Sequence, residues 1–266
     1  MRPAPSSSIN SRLLLTALFF LAARPLVAAP FVVFADGETF TYRVSWAIFS
    51  RAGEIVIAAH EEKDAQGATV FRITTDTSTR GIIQSFYSYR NHAEVIIDRD
   101  TGRLVFMQEK GSDGRRSSDN ETTFDYAKKI ARYIDRAHPD RTQDVAIPAG
   151  APIDLLSALV QTREWNLQPG QKREVLVNFG NEFFLISIYA DHFEQVRTPL
   201  GTCQTLVLIP RMEQNPKGVF KHGGEFKVWI SQQGQKLPVK MQLKLPFGAA
   251  TLVLAEYHPA AAPPPR

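Results

Sequence analysis

Six histidines, His60, His92, His138, His192, His222 and His258, and one cysteine, Cys203, are the side chains of this 266-residue chain best suited to holding a metal or attacking a carbonyl. They stand singly. No His-x-His, His-Glu-x-x-His or cysteine pair occurs, so the spacing supports neither a metal site nor a cofactor. His92 alternates with Tyr87, Tyr89 and Glu94 and reads as a rim or surface residue of a strand. Cys203 sits in a strand pattern with no basic neighbour in sequence, and reads as a small buried hydrophobe. No Gly-x-Ser-x-Gly elbow is present, and Ser157 in "DLLSALV" reads as a small helix residue. Carboxylates cluster in "HEEKD" and "SSDNETTFDY", among lysines and serines in turn-like sequence, which is the composition of a solvated face. Hydrolase chemistry would need two of them brought into one cleft from distant strands.

Aromatic residues carry the stronger lead. Trp46, Phe86, Tyr87, Trp165 and Trp229 can line an apolar cavity, and Arg90 or Arg163 can meet an acidic head group at its mouth. Trp46, Phe86, Tyr87, Arg90, Arg163 and Trp229 are therefore the candidate ligand-binding residues. The competing reading makes Trp46 and Trp229 core or barrel-end plugs, and Arg163 a cation closing its own helix.

The elements that must position these residues are mostly strands. Runs of β-branched and aromatic residues between turn signals recur along the chain, giving thirteen expected strands from Glu38–Trp46 to Thr251–Tyr257. In the first, Phe40, Tyr42, Val44 and Trp46 form a dry face, with Thr39, Thr41, Arg43 and Ser45 on the wet one. Turns such as "DRDTGR", "FGNE" and "PLGT" make consecutive strands pair as hairpins. One break interrupts the series: prolines 139, 148 and 152 hold the chain extended, and Asp154 can cap a short helix over 154–164 with Leu155, Leu156, Leu159 and Val160 as its stripe. A second helical turn is expected within Thr77–Phe86. The fold class is mainly β, a strongly curved antiparallel sheet or half-barrel with one short central helix. Several late strands, "EFFLISIY" among them, are apolar on both faces, so each face needs a cover.

Residues 1–29 have the parts of a secretory signal: Arg2 and Arg12, the apolar run Leu13–Ala23, and the small residues of "VAA". The run is short of the roughly 20 residues that span a bilayer, so an export signal is expected, with a membrane anchor as the alternative. Cleavage is expected between 29 and 35. No cysteine near the leader can carry a lipid, which argues against a lipoprotein and for a periplasmic or otherwise exported chain without an integral anchor. The formal charge is +4; losing Arg2, Arg12 and Arg24 takes 31 basic residues to 28 against 27 acidic ones, leaving +1 and no basis for nucleic-acid binding. With one cysteine, no internal disulfide can form. A single domain is expected over 36–258, in halves 36–147 and 165–258 joined by the proline-rich segment and the helix, followed by an extended tail at 259–266.

Four segments in order, "GETFTYRVSWAIFSRAGEIVI", "PIDLLSALVQTREWNLQPGQ", "TPLGTCQTLVLIP" and "GEFKVWISQQGQKLPVKMQLKLPFGAATLVLAEY", together resemble the DUF3108 family of exported bacterial envelope proteins. The resemblance implies a β-rich envelope protein and brings no established activity. The family's usual acidic residue after the tryptophan strand is replaced here by "SQQGQ", and its usual apolar residue by Cys203. By looser analogy of fold, the half-barrel with an inserted helix is similar to periplasmic carriers of the LolA and LolB type. The expected function is non-enzymatic binding of a lipid or other amphiphile, or of an envelope protein. A scaffold that recruits a partner by strand addition is the alternative, and an envelope hydrolase a third reading.

Overall fold

In the sheet the two terminal strands lie in the middle and the middle of the chain forms both edges. The computed structural model describes residues 34–114, 116–217, 220, 225–245 and 248–260. The expected leader and most of the tail lie outside the described residues.

The first half contributes β1 (Thr39–Trp46), β2 (Phe49–Lys63), β3 (Thr69–Thr79), β4 (Arg90–Asp98), β5 (Leu104–Ser112), β6 (Ser117–Asp125), β7 (Ile130–Asp135) and β8 (Gln143–Ala146). The second contributes β9 (Ile153–Asp154), β10 (Lys172–Asn178), β11 (Phe183–Thr198), β12 (Gly201–Arg211), β13 (Glu225–Ser231), β14 (Pro238–Leu245) and β15 (Gly248–His258). Each of the thirteen expected strands has a counterpart, and β8 and β9 are short additions inside the segment expected to be extended.

Strand order runs from β8 down to β1, then from β15 down to β9. The halves join where β1 pairs antiparallel with β15, Thr39 opposite His258 and Trp46 opposite Ala250. Every neighbouring pair is antiparallel except β9 with β10. The sheet is open, yet it curls until distant strands meet: the Thr122 hydroxyl on β6 donates to the Gly180 carbonyl in the β10–β11 turn at 3.2 Å. The Phe124 and Phe183 rings lie 6.5 Å apart across the same gap.

Among the described residues, two α-helices are inserted. The one expected at 154–164 is α2 (Leu155–Gln161), continued by a 3-10 turn at Thr162–Glu164. Asp154 caps it, its Oδ1 accepting from the Leu156 and Ser157 amides at 2.9 and 3.0 Å. The other, α1 (Gly81–Phe86), forms within the expected Thr77–Phe86 stretch and has no buried residue.

Alternation places the core. On β1, Phe40 and Tyr42 are buried while Arg43 is exposed, as the dry and wet faces require. The doubly apolar late strands have a different explanation from the one expected. Their second face is roofed by long cationic side chains: Lys172 and Arg211 over Tyr189, and Lys240 over Trp229 at 4.1 Å. Stems of Lys and Arg cover apolar surface while their charges stay wet, so no opposite wall is needed there. Leu185 on that side is simply exposed.

Candidate functional site

Where the curled sheet fails to meet itself it encloses a cavity of about 650 Å³, partly open to solvent. The size falls in the range of small-molecule sites. One wall is apolar: Ile55 and Ile57 of β2, Met241 and Leu243 of β14, Leu252 of β15, and the Leu155, Leu156 and Leu159 face of α2. The period-2 rule puts these strand residues on the inner face together, since Tyr42 stands opposite both Ile55 and Leu254, and Met241 opposite Leu252.

The facing wall carries most of the polar groups, with Val95 of β4 and Met107 of β5 among them. Glu109, Asn120, Thr122 and Tyr133 line it from β5, β6 and β7, with Asn178 from β10 beside them. The Asn91 amide holds Glu109, donating to Oε1 at 2.5 Å. Burial, and secondarily the Asp135 charge, pushes the Tyr133 phenol up to about 12, so it stays a neutral donor at any physiological pH. Asp154 also lines the cavity. Burial raises its carboxyl above the ordinary range against the pull of its hydrogen bonds to Ser157 and Leu156, and its Oδ2 is buried with no hydrogen-bond partner. One apolar and one polar wall can receive an amphiphile lengthwise, hydrocarbon against the leucines and head against the amides and phenol.

The far end of the barrel is closed. Phe34, Phe40 and Tyr257 pack ring on ring there, with centroids 6.2 and 5.1 Å apart. Beside them the buried Glu38 carboxylate takes both Arg163 nitrogens, at 2.6 and 3.0 Å, and the Tyr257 hydroxyl at 2.7 Å. Burial and that carboxylate raise the Tyr257 pKa.

The six candidate residues separate into three groups. Trp46 lies on the cavity face, since it pairs with Ala250, and packs over Gly248 at the open rim. Phe86, Tyr87 and Arg90 stand exposed around α1 at the same end. Arg163 is at the closed end with Glu38. Trp229 points away from the cavity: it alternates with the inward Phe226 and Val228, and its indole N–H donates to Glu194 at 2.8 Å. Sequence reasoning missed most of the lining. Alternation in "VKMQLKL" puts Met241 and Leu243 on one face, but nothing in it shows that the face looks onto a hollow. Cys203 is half-buried against the core.

The family described as "Protein of unknown function (DUF3108)" matches residues 41–255. The chain belongs to the DUF3108 family. No curated protein matches it. Among solved structures, this DUF3108 chain is similar to a crystal structure of a β-barrel-like protein of a domain of unknown function, DUF1849, from Brucella abortus, with TM-score 0.52 and 5% identity over 86% of this chain and 100% of that one. That likeness shows the curled-sheet fold. An exported protein, provisionally so described, with a YmcC-like fold from Bacteroides fragilis gives TM-score 0.31 and 12% identity over 86% and 99% of the two chains. A provisionally described lipoprotein from Parabacteroides distasonis gives 0.29 and 10% over 85% and 98%. Scores at that level carry no argument about fold.

Proposed function

We propose that this DUF3108 protein is a non-enzymatic binder of an amphiphile with a hydrocarbon tail, working outside the cytoplasm. The observation that carries the reading is the two-sided cavity, hydrocarbon-lined by Met241, Leu243, Leu252 and α2 and polar along β5–β7. The leucine-lined wall is a poor partner for water, and a ligand tail supplies the contacts that this wall otherwise lacks. The leader sequence supports export and, with no cysteine beside it, a periplasmic chain without a lipid anchor.

Two features weigh against the scaffold alternative. Its filled interior is at odds with the cavity, and the edges it would use, β8 and β9, are four and two residues long. Strands so short offer little backbone for another chain to pair with.

Native mass spectrometry with lipid analysis tests the proposal, on protein exported by a host cell and purified without detergent. A reproducible co-purifying acyl-chain mass is expected. A clean apo mass, unchanged after incubation with envelope lipids, would sink the reading.

A further inference from the structure

Four of the eight exposed large apolar side chains among the described residues, Ile48, Ile82, Phe86 and Tyr87, stand together at the open end of the barrel. Ile48, in the turn between β1 and β2, is 89% exposed, and Phe86 of α1 is 82% exposed. Ile82, one helical turn before Phe86 and so on the same face, and Tyr87 after it are exposed as well. These residues are neighbours in space: the Arg80 amide donates to the Ala52 carbonyl at 2.9 Å, and Gly81 lies against the Arg51 carbonyl, which sets α1 on the first residues of β2 just past Ile48.

Nothing in the core accounts for α1. A six-residue helix does not hold itself together in water, and this one buries no residue. It leaves β3 at Arg80 and the chain returns at Tyr89, whose carbonyl accepts from the Thr79 amide, so the excursion holds Ile82 and Phe86 outward while Ile83 is half-buried. Tyr87 stacks on Tyr89 beneath it, centroids 6.4 Å apart, and the Trp46 ring sits at the neighbouring rim.

The charges beside this patch are mainly positive. Arg51, Arg90 and Lys110 are exposed and have no ion pair among the described residues. Of the nearby acids, Glu54 pairs with Arg80 at 2.8 Å, and Asp76 Oδ1 lies 2.8 Å from His92 Nδ1. Apolar and aromatic tips ringed by unpaired cations match the layering of an anionic bilayer surface, hydrocarbon within and phosphate above.

We infer that the β1–β2 turn and α1 form a docking surface for an anionic lipid bilayer, with Ile48, Ile82 and Phe86 entering the interface and Arg51, Arg90 and Lys110 meeting the phosphates. The cavity reaches the same end, Leu243 and Ala250 facing each other two residue pairs from the β14–β15 turn. The inference concerns the outside of the rim and does not depend on what fills the cavity.

Flotation tests it, using protein as the cell makes it from the full chain and vesicles of equal parts phosphatidylglycerol and phosphatidylcholine against phosphatidylcholine alone. The wild type is expected to float with the anionic vesicles, to bind them less in high salt, and to bind neutral ones weakly. Ile48→Asp/Phe86→Asp, both in solvent and without cost to the core, should weaken binding by about tenfold or more, and Arg51→Glu/Arg90→Glu by a similar factor. Failure of the wild type to float would overturn the inference. So would undiminished flotation of the Ile48/Phe86 variant, since a retained leader or another face would then be the anchor. A co-purifying amphiphile kept by that variant would show the cavity intact, so loss of docking and loss of ligand binding are read separately.

Discussion

Glu38 and Arg163, 125 positions apart in the chain, form a two-pronged ion pair at 2.6 and 3.0 Å at the closed end of the barrel. Glu38 lies just ahead of β1 and Arg163 in the turn after α2, so the pair fastens the central helix to the middle of the sheet. The Ala35 amide and the Tyr257 hydroxyl complete the carboxylate's bonds.

Removing one partner leaves the other charge buried, so Glu38→Gln or Arg163→Met should cost about 3–5 kcal/mol in urea unfolding. Glu38→Leu/Arg163→Met should recover much of that loss, because neither charge is then stranded. Single variants within about 1 kcal/mol of wild type would show that the pair is screened by water and fastens nothing.

Asp154 gives a pH signature. Its folded pKa is raised by burial, so the folded state holds the proton more tightly than the unfolded chain. As pH rises past the ordinary aspartate value near 3.8 the unfolded state ionises first, and stability falls until the folded carboxyl ionises too. Asp154→Asn keeps a good helix cap and removes the titration. Its unfolding free energy should gain on wild type from about pH 4 upward, while Asp154→Ala loses about 1 kcal/mol of capping. A wild type that gains on Asp154→Asn with rising pH would refute the sign.

How much of this was legible depended on distance in sequence. Period-2 alternation fixed Phe40 and Tyr42 inward, and the glycine turns fixed the hairpins, because both are local signals. The pairing of β1 with β15 and of Glu38 with Arg163 joins residues at separations no local pattern reports. Trp229 was misleading for another reason: with Val228 and Ile230 beside it, both faces of β13 are apolar, and alternation then says nothing about which face looks inward. The hollow was invisible because a pattern of inward leucines is the same whether facing walls touch or stand apart.

The cavity reading separates a substitution on the inner face of the sheet from one on the outer face. Ala93→Trp puts an indole into the hollow from β4 and should cut amphiphile retention by about tenfold or more, at a packing cost of about 1–3 kcal/mol. Trp229→Phe, on the outer face, gives up the Glu194 bond and should retain the ligand at the wild-type level. Native mass spectrometry of both, after the same purification, reads the difference. Equal retention in the two would mean that the ligand sits elsewhere.

Gly53 is a backbone constraint close to α1. A Cβ there would lie 2.8 Å from the Ser78 carbonyl oxygen and 3.6 Å from the Val44 Cβ. The oxygen belongs to β3, paired with β2 through Glu54 opposite Ser78, so it cannot rotate aside as a side chain could. Gly53→Ala must push β2 and β3 apart and should cost about 1–3 kcal/mol. The strain falls next to the Arg80 amide bond to Ala52 that seats α1. Hydrogen exchange at Arg80 should therefore quicken in Gly53→Ala. In Gly67→Ala it should not: that glycine has positive φ, but nothing lies within 4 Å of where its Cβ would stand, and it is at the far end of the same hairpin. Equal exchange at Arg80 in the two variants would show that α1 is not held through β2.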